Sequence, residues 1–85
     1  MYLHLGGNGV VLKRDIIGIF DLDKTTISAR TRNYLTAKER EGKVQTLGEG
    51  LPQSFVITKH NKEHVFLSPI SSKTLAKRKD ITEEI

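Results

Sequence analysis

Residues 16–27 read IIGIFDLDKTTI, so an apolar run closes on Asp21, a second carboxylate follows at Asp23 and a hydroxyl at Thr25. Two carboxylates facing a phosphate would need a divalent cation such as Mg²⁺ to offset their charge. His4, His60 and His64 are the next candidate ligands. His60 and His64 are separated by a turn, no Cys is present, and no third ligand converges on them, so strand-face histidines are expected and a metal site is not. Cations form a third constellation. Arg30, Arg32, Lys38, Arg40 and Lys43 crowd one segment beside Glu39 and Glu41, and Lys73, Lys77, Arg78 and Lys79 form a second cluster. Phosphate contacts need flexible cations on an exposed face, which a helix with a narrow apolar stripe offers. A merely solvated helix face has the same composition.

The Asp21-x-Asp23-x-Thr25 string resembles the nucleophile motif of the haloacid dehalogenase superfamily of phosphatases. That resemblance would make Asp21 the attacking group, Asp23 the acid/base and Thr25 a phosphate-positioning hydroxyl. It fails on context. The superfamily places its nucleophile at the end of a central parallel strand, whereas the strand carrying Asp21 follows a hairpin. The downstream acids Glu39, Glu41, Glu49, Glu63, Asp80, Glu83 and Glu84 follow no buried parallel strand that would return them to Asp21. Short motifs without their structural context are mostly accidental. No catalytic residue is assigned and no enzyme is expected; Asp21 and Asp23 are read as a strand end leading into a helix cap.

The elements that must position these groups follow from local pattern. Tyr2–Leu5 and Val10–Lys13 are β-prone around Gly6-Gly7-Asn8-Gly9, a turn whose residues accept positive φ, so a hairpin is expected in preference to a phosphate loop. Ile16–Leu22 is apolar at both parities and reads as a strand buried on both faces. From about Thr26 to Ser28 the pattern turns helical, with an apolar stripe of Ile27, Thr31, Tyr34 and Leu35 and a C′ glycine at Gly42. Val44–Leu47, Ser54–Thr58 and His64–Leu67 are strands, and a short helix capped by Ser71 or Ser72 ends near Asp80. The expected order is β-β-β-α-β-β-β-α, an α+β domain of small antiparallel β-rich type. One domain is expected over residues 1–80, with 81–85 as a frayed acidic tail.

Composition narrows the class. The chain has 85 residues, no Cys, no Trp and a hydrophobic fraction of 36%. So small a core is thin, and oligomerisation is the usual compensation. The absence of Cys suits a reducing cytosol. No apolar run approaches the roughly 18 residues of a membrane span, and the first residues lack the charged leader and cleavage site of a signal peptide. A net charge of +4 favours an anionic partner, nucleic acid before membrane.

The order of elements, with MYLHLGGNGVV, RDIIGIFD, the helix ending EREGKV, SFVIT and HVFLSPISSKTLAKR, resembles the bacterial Rem family of biofilm-matrix transcription regulators. The resemblance runs from Met1 to about Lys79, nearly the whole chain. It implies a cytoplasmic, cofactor-free regulator that promotes transcription of extracellular-matrix genes. It also implies promoter DNA as partner, a ring-like homo-oligomer, possible pairing with a related Rem protein, and a fold similar to the LytTR DNA-binding domain. One departure matters. The family's RemA-type pattern has a glycine followed by paired arginines before the fifth strand. Here Gly48 is followed by Glu49, Gly50, Leu51, Pro52 and Gln53. That pair is not carried over. The expected DNA contacts are Arg32, Lys38, Arg40 and Lys43, the last two being nearest to the loop along the chain. The alternative is a regulatory adaptor acting through protein contacts with little direct DNA binding.

Overall fold

The structure is a computed structural model and describes residues 1–22 and 28–83, with the side chains of the last helix as far as residue 79. Strands β1 (Tyr2–Gly6) and β2 (Gly9–Leu12) pair antiparallel, as the glycine-rich turn between them predicts. A 3-10 turn, Lys13–Asp15, leads into β3 (Ile16–Asp21). Helix α1 (Ala29–Arg40), β4 (Val44–Thr46), β5 (Ser54–His60), β6 (Lys62–Ser68) and helix α2 (Ser72–Glu83) follow. The expected α+β class and element order therefore hold, distributed over a two-stranded and a four-stranded sheet.

The larger sheet has the order β3-β5-β6-β4. Its two long pairings, β3–β5 and β5–β6, are antiparallel, but β4 joins β6 in parallel. Strand β4 returns from α1 to the far edge, where the pairs Val44↔Val65 and Thr46↔Leu67 fix its direction. Strand β3 lies at the opposite edge, which corrects the expectation of burial on both faces. A register irregularity between Ile16 and Gly18 leaves Ile17 unpaired and 56% exposed. An extra residue at a sheet edge re-aims one side chain outward.

One sheet face presents Val56, Ile19 and Phe66 to the hairpin and to α2. Leu3, Leu5, Leu47, Val56 and Leu75 form the buried core, with Ile16, Ile19, Phe66 and Ile70 packed on it. Ser68 fastens the hairpin to this layer: its hydroxyl donates to the Leu5 carbonyl at 2.5 Å and accepts the Ile70 amide at 3.1 Å. The opposite face carries Phe20 and Phe55, stacked with centroids 5.0 Å apart. Helix α1 crosses this face on the β4 and β6 side, leaving a recess of about 390 Å³ walled by Ile17, Phe20, Phe55 and Ile57.

Both helix ends have a local cause. Gly42, at φ +73°, donates to the Glu39 carbonyl, and the Lys43 amide donates to that of Lys38. This paired reversal is the glycine stop expected at that position. At α2, the Thr74 amide donates to Ser71 Oγ, so Ser71 is the capping serine. The helix then runs to Glu83, three residues past the expected end. The expected contributions of Asp23, Thr25, Thr26 and Ile27 lie outside the described residues.

Candidate nucleic-acid interface

Helix α1 turns Thr31, Tyr34, Leu35 and Lys38 toward the sheet, all half-buried, at the spacing of one helical face. That choice determines what faces outward: Arg32, Asn33, Thr36, Glu39 and Arg40 are exposed. Arg32 and Arg40 stand two turns apart on this outer face, about 12 Å along the axis.

The four cations expected to act together thus divide into two pairs. Lys38 lies inward, its side chain only 17% exposed, with Nζ 3.7 Å from Glu63, 3.8 Å from Glu41 and 5.7 Å from the centre of the Tyr34 ring. Lys43 is 2.9 Å from the same Glu41. The hydrogen bond from Lys43, then the charges of Lys38 and Lys43, hold the Glu41 carboxyl below the usual range. The Tyr34 hydroxyl donates to Glu63 at 2.8 Å. Burial first, then that bond and the nearby negative charge, push the Tyr34 hydroxyl up to about 12, so it remains a donor at neutral pH. Lys38 and Lys43 are therefore partly neutralised locally, and Arg32 and Arg40 are exposed on the outer face of the helix.

The loop after β4 is placed differently from its position in the chain. Lys43 precedes β4 and Gly48 follows it, so they stand at opposite ends of an extended segment, about 16 Å by strand rise. Gly48 has φ +68° and packs on Pro69; a Cβ on Gly7 would stand 2.7 Å from the Gly48 nitrogen. This close approach ties the loop base to the β1–β2 turn. Beyond it Leu51 is 87% exposed. No periodic signal marks a lone loop leucine, so sequence reasoning passed over it.

The remaining candidates are separated. Lys73, Lys77 and Arg78 are exposed on α2. His4 Nε2 donates to the Gly7 carbonyl, His64 Nδ1 lies 3.2 Å from the Lys62 carbonyl, and His60 stands 3.8 Å from Asp15. No group of three or more potential metal ligands occurs among the described residues. Asp21 closes an edge strand paired antiparallel with β5, opposite Ser54, so it does not occupy the central parallel position that the phosphatase motif requires. Among the described residues no helix is long and apolar enough to cross a membrane.

A family model described as extracellular matrix regulatory protein A-like matches residues 2–78. The chain is also 42% identical over 85 residues to extracellular matrix regulatory protein B of Bacillus subtilis (strain 168), covering 100% of this chain and 98% of that protein. With both matches spanning essentially the whole fold, the chain belongs to the RemA-like family of extracellular matrix regulatory proteins.

Proposed function

We propose that this chain is a non-enzymatic transcription regulator that binds promoter DNA as a cytoplasmic homo-oligomer and promotes expression of biofilm-matrix genes. The resemblance to the Rem family also implies a fold similar to the LytTR DNA-binding domain. The observation that carries this reading is the outward pair Arg32 and Arg40 on a helix whose apolar face is committed to the sheet. Lys38 and Lys43 flank that pair and would add charge once Glu41 or Glu63 yields to a phosphate. Self-association rests on the apolar recess beside Ile17, because small monomers seldom leave such a surface open. A ring would repeat the basic helix on every subunit, so weak contacts combine through effective concentration.

The test is a salt titration on promoter and random duplexes. Log affinity should fall with log salt by about 0.9 for each phosphate neutralised. A second reading, the oligomeric adaptor, is favoured by the loop after β4, which presents Leu51 and Glu49 where cations would be expected of a DNA reader. Absence of duplex binding at low salt, with oligomer intact, selects it.

A further inference from the structure

Lys13 is the most deeply buried cation among the described residues, 7% exposed, and has no carboxylate partner among them. Its Nζ makes one hydrogen bond, to the Lys79 carbonyl at 2.7 Å. An ammonium carries three donors, and a buried charge is costly unless paired. The adjacent acid does not serve: Asp15 turns away to His60, 3.8 Å from its ring. Lys13 lines a recess of about 670 Å³ where the end of β2, the 3-10 turn and α2 meet. Arg14 and Lys79 line the same recess, and Tyr2, Leu12 and Ile16 form its apolar wall. Three cations, with no acid among the described lining residues, favour a dianion over a monocarboxylate. A phosphate monoester carries about −1.5 to −2 near neutral pH. The size lies within the range of about 300–1,000 Å³ typical of small-ligand sites, and Tyr2, 66% exposed, offers a ring on which a planar group stacks.

We propose that this recess binds a nucleoside monophosphate, with the phosphate on Lys13, Arg14 and Lys79 and the base against Tyr2 and Leu12. The site is separate from the outward face of α1 and does not depend on DNA binding. A phosphate there would pair with Lys13, which has no carboxylate partner among the described residues, so occupancy ties the 3-10 turn to α2.

The proposal is tested by calorimetric titration of the full chain with AMP, GMP, adenosine and inorganic phosphate, and with a duplex of random sequence as competitor. At least one nucleotide should bind at least about tenfold more tightly than adenosine, the worth of one charge-assisted contact. Arg14→Ala with Lys79→Ala should weaken it about tenfold or more, and Tyr2→Ser should bring its affinity down toward that of inorganic phosphate. Arg14→Ala alone, at an exposed position, is the second variant should the double variant melt early. Absence of heat with both nucleotides at millimolar concentration, or equal affinity in wild type and Arg14→Ala, overturns the proposal. So does displacement of nucleotide by duplex with a parallel loss of duplex affinity in the variants, which would make the recess a DNA backbone contact.

Discussion

The Tyr34 hydroxyl donates to Glu63 Oε2 at 2.8 Å, a bond between α1 and β6 that spans 29 positions of sequence. It orients the helix on the sheet and, through Glu63, reaches Lys38 at 3.7 Å. Its strength also depends on pH in a defined sense. The folded-state value of about 12 lies above the ordinary tyrosine value of 10.0, so the contribution is complete below pH 10. It is lost as pH rises from 10 through about 12. Tyr34→Phe should cost about 1 kcal/mol at neutral pH, because the site is partly open to solvent. Urea denaturation at pH 7 and at a series of alkaline pH values checks both the cost and the flatter alkaline profile of the variant.

Glu41 holds Lys43 at 2.9 Å and Lys38 at 3.8 Å from an exposed position. Removing its charge should leave stability nearly unchanged, as the loss of a surface pair usually does. If the proposed DNA face is right, Glu41→Gln should raise duplex affinity and steepen its salt dependence by releasing Lys43 and leaving Lys38 to Glu63 alone. Fluorescence anisotropy over a salt series measures this, and a lowered affinity would argue that the acid itself organises the face.

Arg32→Ala with Arg40→Ala should make the salt slope shallower by about 0.9 for each phosphate that the two arginines neutralise on the duplex, with oligomer mass unchanged. Lys77→Ala with Arg78→Ala is the comparison. Loss of binding in the second double variant and not the first would move the DNA-binding face to α2.

Ser68 sits fully buried between the hairpin and the sheet, donating to the Leu5 carbonyl and accepting from the Ile70 amide. Ser68→Ala should destabilise by about 1–3 kcal/mol, since it leaves buried polar groups unpaired. Chemical denaturation reads this directly. A neutral result would mean that water replaces the hydroxyl.

Ile17→Lys places a charge at the open apolar recess without entering the core on the other sheet face. The proposed oligomer should shift toward monomer mass in light scattering, while far-ultraviolet circular dichroism stays unchanged. An unaltered large assembly would locate the subunit interface elsewhere.

Local pattern alone determined the elements. Gly6, Gly7 and Gly9 marked the hairpin, Gly42 marked the end of α1, and the Thr31, Tyr34 and Leu35 spacing identified its buried face. These features depend on φ preference and on the 3.6-residue period, which neighbours in sequence suffice to specify. Family membership was legible for the same reason, since ordered short segments carry it from end to end. Pairing across the chain was decided only in three dimensions. A three-residue β4 does not encode whether it runs parallel or antiparallel, and the both-parity apolar pattern of β3 does not distinguish a central strand from an edge strand with Ile17 turned out. The basic cluster is the clearest instance. Arg32, Lys38, Arg40 and Lys43 are near one another in sequence. The side of α1 that met the sheet turned Lys38 inward among the acids and left Arg32 and Arg40 outside. Tertiary packing fixes which side of a helix is buried, and with it which charges face solvent or an approaching anion.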